Sequence, residues 1–322
     1  MTENMTAQSA SFGMGTVITH RVFGGQTEEA LQAAIGETVR LERMLSRFRS
    51  ESEIGRINSS AGIRYEKVSS ETFEVLSGAV EFSKCCQGSF DVTIGPLVTL
   101  WNIYEGVSEP PPRSRIEKAI PLVDYTDVAF DYHTKSVGLK KAGQSIDLGG
   151  IGKGYAADKV IDVFKKYGIS SAFTNFGGNV ATVGARPDGS PWRVGIQHPR
   201  QEDKLIGVVS VVNKSVVTSG DYQRYFIDSH GRRYHHILDP ATGYPCETGL
   251  VSVTVVSDSS MAADALSTIL FTVGMNRGIE LLKSFPGTEA ILIDMNLLVH
   301  VTRALRDCFQ TTEGRRIDVL DN

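Results

Sequence analysis

Between positions 146 and 158 the chain reads I-D-L-G-G-I-G-K-G-Y-A-A-D. Four glycines, Gly149, Gly150, Gly152 and Gly154, separate a strand-forming run from a helix-forming one. Glycine lets a backbone turn sharply and approach another group closely. The expected local structure is a strand through S-I-D-L, a tight turn, and a helix over about 153–167. Free N–H groups at such a turn and helix start suit an anionic phosphate, and Lys153 adds a positive charge. The spacing is neither the P-loop nor the dinucleotide fingerprint. A strand-to-helix turn with no ligand has the same pattern, so the segment alone leaves both readings open.

The rest of the chain constrains the architecture. Alternating β-branched residues predict a strand over 14–23, and a period near 3.6 predicts a helix over 27–45 with Thr27 as its cap. A second helix is expected over 70–86, ending before Gly88. Short strand-like runs recur from Asp127 to Thr302, interrupted by a helix in S-S-M-A-A-D-A-L-S-T-I-L-F-T-V-G with Ser259 or Ser260 as cap and Gly274 as stop. The mixture predicts an α+β protein with mixed, largely antiparallel sheets and packed helices. Residues 1–11 are expected to be a flexible N-terminal segment. Residues 12–322 form the functional domain, either as one body or as two closely packed α/β subdomains.

Composition removes several classes. The net charge is −4 and no Lys/Arg block occurs, so nucleic acid is not an expected partner. No run approaches the ~20 apolar residues that span a bilayer, so no membrane partner is expected. The four cysteines, Cys85, Cys86, Cys246 and Cys308, contain no C-x-x-C spacing, which fits reduced thiols better than zinc or a disulfide framework.

Three further constellations carry polar chemistry. In A-D-A-L-S-T, Asp264 and Thr268 stand at i and i+4, so both oxygens share one face of an apolar helix. A carboxylate and a hydroxyl are hard donors suited to Mg²⁺. Asp264 facing water or capping a loop is the alternative. In R-Y-H-H-I-L-D-P-A-T-G-Y-P, His235 and His236 would point to opposite faces of a strand, so one of them enters any given pocket. In F-D-V-T-I-G-P-L-V-T-L-W, Asp91 and Thr93 precede a Gly-Pro turn. These residues point to a phosphate-containing ligand with Mg²⁺ and no further.

Taken in order, M-G-T (Met14, Gly15, Thr16), L-S-R-F-R-S-E-S-E-I, F-D-V-T-I-G-P-L-V-T-L-W, I-D-L-G-G-I-G-K-G-Y-A-A-D, N-F-G-G-N-V, V-T-S-G-D-Y, Y-H-H-I-L-D-P-A-T-G-Y-P and A-D-A-L-S-T resemble the ApbE family of flavin transferases. The resemblance implies an ApbE-like fold and an enzyme that takes FAD with Mg²⁺ and moves its FMN half onto a threonine hydroxyl of an acceptor protein. A phosphodiester forms and AMP leaves. It implies flavin-side contacts from Met14, Phe48, Ser89, Phe90 and Asp91. Asp147 and Lys153 would touch the FAD, and Leu238 would line the adenosine or flavin pocket. The implied metal shell is the Gly150 carbonyl, the Asp264 carboxylate and the Thr268 hydroxyl, with Ser267 a weaker member. His236 falls on the family's histidine and is the implied base. Where the family often has Tyr, this chain has Phe48, which stacks but forms no phenol hydrogen bond.

Many members of the family are exported lipoproteins. The first sixteen residues here contain no basic n-region, apolar h-region or cysteine, so a cytoplasmic protein is expected, with a cytosolic acceptor bearing an FMN-binding domain. An Mg²⁺-dependent FAD pyrophosphatase giving FMN and AMP, or a non-catalytic flavin binder, would use much of the same site.

Overall fold

The structure is a computed structural model describing residues 5–103 and 108–321. In chain order it begins with β1 (Thr6–Gly13), β2 (Thr16–Phe23), α1 (Thr27–Leu45), α2 (Glu53–Ser59), β3 (Glu66–Lys67) and α3 (Ser70–Cys85). Next come α4 (Gly95–Trp101), α5 (Arg113–Ala119), β4 (Val128–Asp131), β5 (Ser136–Leu139) and α6 (Gly152–Lys166). Strands β6 (Ser171–Phe176), β7 (Asn179–Val183), β8 (Trp192–His198) and β9 (Gln201–Val211) follow, then β10 (Ser215–Gly220), β11 (Tyr225–Ile227), β12 (Arg233–His235) and β13 (Leu250–Ser257). Two helices, α7 (Ser260–Val273) and α8 (Met275–Leu282), precede β14 (Glu289–Asp294), β15 (Val299–Thr302), β16 (Phe309–Thr311) and β17 (Ile317–Leu320).

Nine strands form the main sheet in the order β1-β2-β6-β7-β10-β13-β14-β15-β17, antiparallel throughout except for the parallel β15–β17 pair. The α+β class with largely antiparallel sheets therefore holds. Strand β13, L-V-S-V-T-V-V-S, is buried at every position because both sheet faces are covered there. That is why its sequence reads as a run rather than an alternation. One face packs on α1, α3, α6 and α7 through the main core, which includes Leu41, Leu76, Tyr155, Phe164 and Leu266. The other packs under β8 and β9 around Trp192, Ile196, Val216 and Val256. A third cluster gathers Leu97, Trp101, Tyr234 and Leu238, where the Trp101 indole N–H donates to the Gly243 carbonyl at 2.7 Å.

Helices α6 and α7 cross-cap each other. Asp264 of α7 accepts the Gly154 N–H of the first turn of α6 at 2.8 Å. Asp158 of α6 accepts the backbone N–H groups of Ser260 (2.7 Å) and Met261 (2.9 Å) and the Ser259 hydroxyl (2.9 Å) at the start of α7. Each carboxylate thus satisfies amides that a helix start leaves without an internal partner. Gly154 permits the approach: a Cβ there would lie 2.3 Å from the Ser260 carbonyl oxygen and 2.7 Å from the Asp264 Cβ.

Several expectations need correction. Residues 6–11 of the segment expected to be flexible belong to edge strand β1, which pairs with β2 from Thr6↔Phe23 to Gly13↔Thr16; residues 1–4 lie outside the described residues. The cap of α1 is Gln26, at φ 55, not Thr27, which is already helical and buried. S-I-D-L is extended but makes only one bridge, Ser145 to Ile94. Gly95-Pro96 opens helix α4 instead of a turn, because proline's fixed φ suits a first helical turn. The caps on α7 are as expected, with the Ser259 hydroxyl accepting from Ala262 N–H and Gly274 closing the helix at φ 77.

Gly154→Ala separates two opposing effects. Intrinsic helix propensity favours alanine by ~1 kcal/mol, whereas overpacking a tight contact typically costs ~1–3 kcal/mol. The contact is to backbone, which cannot rotate away, so urea denaturation should report a net loss of stability. A net gain would mean the two helices do not meet this closely.

Candidate active site

One cleft draws on nearly every polar motif singled out in the sequence. Its lining includes Ser89, Phe90, Asp91, Asp147, Gly150, Lys153, His236, Leu238, Asp264 and Thr268. The Gly-rich turn, α7 and the segment after β12 all contribute to that lining.

The turn is fixed by its own side chains. Asp147 accepts the Gly149 N–H on Oδ1 at 2.7 Å, while its Oδ2 pairs with the Arg47 guanidinium, which also donates to the Thr99 hydroxyl. Lys153 reaches back from α6 to the Gly149 carbonyl at 3.1 Å. Gly150 is pressed between neighbours: a Cβ there would sit 2.9 Å from Phe90 Cε2 and 3.3 Å from Thr268 Oγ1. A larger residue would fill the space between the turn and α7.

On α7, Asp264 is buried, with Oδ2 taken by Gly154 N–H and Oδ1 3.9 Å from the Lys153 ammonium. Thr268, one turn further along, lies 3.3 Å from the Ser219 hydroxyl of β10. The helix therefore presents Thr268 Oγ1 to Gly150 and Asp264 Oδ1 to the side of Lys153.

The two histidines separate as strand geometry requires. His235 is buried, its Nε2 meets the Cys246 carbonyl at 3.0 Å, and its ring packs edge-on against Phe271. Because a carbonyl only accepts, Nε2 carries the proton and Nδ1 accepts the Ile237 N–H. His236 turns into the cleft. Its backbone N–H (3.1 Å) and ring Nδ1 (3.2 Å) both donate to the Arg224 carbonyl, which leaves Nε2 as the ring nitrogen with the lone pair, on a residue that lines the cleft. Burial chiefly, and then the Arg224 charge, push its pKa down to about 3. Burial also lowers that of His235.

Three expected residues stand outside the lining. Met14 occupies the left-handed turn of the β1–β2 hairpin at φ 49, packs half-buried on the main core, and donates its N–H to Glu42 at 3.0 Å. Its neighbour Thr16 takes its place in the cleft. Phe48 is 81% exposed, with the Arg47 guanidinium 5.1 Å over its ring. Ser267 is a buried residue of α7, donating to the Asp264 backbone carbonyl at 2.9 Å and bonded to Ser219 at 2.8 Å, so its hydroxyl is already engaged within the protein. Asp91 lines the cleft, but its oxygens bind Thr93 N–H and hydroxyl and Tyr125 N–H while burial raises its pKa, so it chiefly anchors its own loop.

Sequence reasoning passed over Asp158, Arg47, Ser219 and Arg224. All four lie within or beside the quoted motifs, but the partners of Asp158, Arg47 and Ser219 are 101, 100 and 48 residues away along the chain, and Arg224 holds His236 through its backbone carbonyl, which no side-chain pattern marks. No local spacing could have paired them.

The ApbE family profile matches residues 14–292, and the chain belongs to that family. It is 35% identical over 298 residues to an FAD:protein FMN transferase of Klebsiella pneumoniae, covering 92% of each chain. It is 32% identical to one of Treponema pallidum, over 95% of this chain and 89% of that one. Among solved structures, the ApbE protein of Thermotoga maritima superposes with a TM-score of 0.86 at 31% identity, covering 94% of this chain and 99% of that one. The Pseudomonas stutzeri flavinyl transferase ApbE gives 0.82 at 30%, covering 95% and 97%.

The depressed His236 pKa has a signed consequence. As pH falls below the ordinary 6.5, the unfolded chain takes up this proton first, while the folded chain resists it down to about 3. The stability contributed by the neutral ring is therefore complete above about 6.5 and is lost as pH falls towards 3, at no more than about 1.4 kcal/mol per pH unit for one group. Urea midpoints between pH 7 and 4 should fall less steeply in His236→Gln than in wild type. Parallel slopes would show the ring to be freely protonated in the folded protein.

Proposed function

We propose that this chain is an Mg²⁺-dependent FAD:protein FMN transferase, acting on a threonine hydroxyl of an acceptor protein that has an FMN-binding domain. The observation that carries the reading is the convergence, in one cleft, of a Gly-rich turn, a lysine, hard oxygen donors on α7 and a neutral histidine.

The donor set fits Mg²⁺. Asp264 keeps one oxygen outside its cap bond, Thr268 offers a hydroxyl, and Gly150 brings its backbone against Thr268. One carboxylate with a hydroxyl and a carbonyl matches an ion that completes its shell with phosphate oxygens and water. Bound there, Mg²⁺ supplies Lewis-acid neutralisation of the charge that grows on the pyrophosphate. In this reading Gly150, Asp264 and Thr268 hold it, and Ser267 braces Asp264.

The chain's own residues do the rest. Lys153 and the turn position the pyrophosphate, and Asp147, locked by Arg47, fixes the turn. Leu238, beside Trp101, closes the apolar end of the cleft against a flat ring. The threonine oxygen attacks the FMN-side phosphorus and a P–O bond forms. The bond from that phosphorus to the bridging oxygen breaks, and AMP leaves with the bridge. The hydroxyl proton passes to His236 Nε2. A phosphate beside the ring would raise the basicity that burial and the Arg224 charge suppress, because a nearby anion favours the charged imidazole.

We place the acceptor in the cytosol. Support comes from the four cysteines, all free among the described residues and two of them exposed, which suits a reducing compartment. Among the described residues no helix is long and apolar enough to cross a membrane.

The test incubates the protein with FAD and Mg²⁺, with and without an FMN-binding acceptor domain, and follows AMP together with in-gel flavin fluorescence. AMP release only with acceptor, and a fluorescent acceptor band, are expected. AMP release without acceptor would instead favour an FAD pyrophosphatase. His236→Ala should bind FAD within a few-fold of wild type yet transfer FMN ~10²-fold or more slowly, as for a lost positioned base. His235→Ala should lose stability with a far smaller loss of rate. Equal rate losses in the two variants would overturn the assignment of the base.

A further inference from the structure

A second cavity, of about 280 Å³, lies on the opposite face of the main sheet. Its floor is made by alternate residues of three adjacent strands: Phe173 and Asn175 of β6, Val180 and Thr182 of β7, Val216 and Thr218 of β10. Residues two apart share one face of a strand, and the registers Phe173↔Thr182, Asn175↔Val180 and Val216↔Val180 place them side by side.

The wall is different in kind. It is formed by five consecutive residues of β8, from Trp192 to Ile196. Consecutive residues point to opposite faces, so a cavity touching all five runs along the strand's backbone edge. That edge is open: β8 ends its three-stranded sheet, β16-β9-β8, and pairs only with β9 among the described residues.

The cavity meets the reaction cleft at two seams. Thr218 lines both, while the next residue, Ser219, turns to α7 and bonds Ser267 and Thr268. At the β6–β7 turn Gly177 lines the cleft and Gly178 the cavity.

We propose that this groove docks the acceptor protein, whose segment next to the target threonine adds as an extended strand along the open edge of β8. Main-chain hydrogen bonds to an edge strand give such binding its affinity, and pockets under alternate side chains give its selectivity. The floor, half apolar through Phe173, Val180 and Val216 and half polar through Asn175, Thr182 and Thr218, takes alternate side chains of the segment. The seams at Thr218 and at Gly177-Gly178 let the threonine pass to the phosphate. The occupant is the acceptor and not a small ligand, because an open edge of backbone donors and acceptors recognises an extended chain, and Thr218 joins this groove to the cleft where the threonine must react. This rests on the transferase reading.

The test uses the full chain with FAD, Mg²⁺ and the purified FMN-binding domain of a covalently flavinylated flavoprotein as probe. Val194→Asp, which sets a carboxylate on the wall outside the FAD cleft, should raise the KM for the acceptor domain about tenfold or more. FAD affinity and kcat at saturating acceptor should stay within about twofold. In wild type, hydrogen exchange of the Arg193 and Gly195 amides should slow when the domain is added, a measurement that needs no variant to fold. Wild-type transfer with unchanged acceptor KM in Val194→Asp and unprotected β8 amides would overturn the groove and leave the transferase reading intact. No wild-type transfer to the domain would remove the reading and the groove with it. Protection that grows with protein concentration without acceptor would assign the edge to a second copy of this chain and overturn the proposal.

Discussion

Two carboxylates exchanged between neighbouring helices, Asp264 buried and Asp158 half-buried, set the geometry on which the cleft depends. Asp158 leaves α6 to cap α7, and Asp264 leaves α7 to cap α6. A buried carboxylate without partners would be strongly destabilising. Asp158 has three hydrogen-bond donors, and even so burial raises its pKa above the ordinary carboxylate value. Neither bond set survives a shift of one helix along the other, so the pair has one register. That register carries the Gly-rich turn, at the start of α6, to Asp264 and Thr268.

The sheet then fixes this helix pair against the second wall. Ser219 of β10 ties to Ser267 and Thr268, and β10 is held between β7 and β13 inside the sheet. On the far side the Arg224 carbonyl grips His236 by both backbone and ring, so the imidazole has one tautomer and one direction. Polar groups that must meet a substrate are thus borne by elements with little freedom to move, as precise positioning requires. Exposed Phe48 and the β1–β2 hairpin turn at Met14 stand outside that rigid set.

Much of this was legible in sequence because it is written in local patterns. Periodicity gave α1, the glycine turn announced α6, and the glycine stops at Gly88 and Gly274 and the serine cap marked α3 and α7. The i, i+4 spacing of Asp264 and Thr268 anticipated their common face, and adjacency of His235 and His236 anticipated their divergence. What could not be read depends on distant pairing. The strand β1, T-A-Q-S-A-S-F-G, has small polar residues and weak alternation, and only its partner β2 makes it a strand. Ser267 has the right chemistry for a metal, but a position three residues from Asp264 bends its hydroxyl back to the helix carbonyl. Asp158 stood in plain view at the end of the glycine motif, yet its role depends on α7, a hundred residues later.

In the proposed enzyme, cross-capping would leave Asp264 Oδ1, Thr268 Oγ1 and the Gly150 carbonyl as one set of oxygen donors for the metal. Anomalous diffraction from crystals of the protein with FAD and Mn²⁺, an ion that favours the same hard oxygen ligands as Mg²⁺, addresses it directly. The account predicts one strong peak about 2.0–2.3 Å from those three atoms, with phosphate oxygens in the remaining positions and Asp264 Oδ2 still on the Gly154 amide. A metal held elsewhere in the cleft, or an Asp264 that has left Gly154 to bind it, would contradict the account.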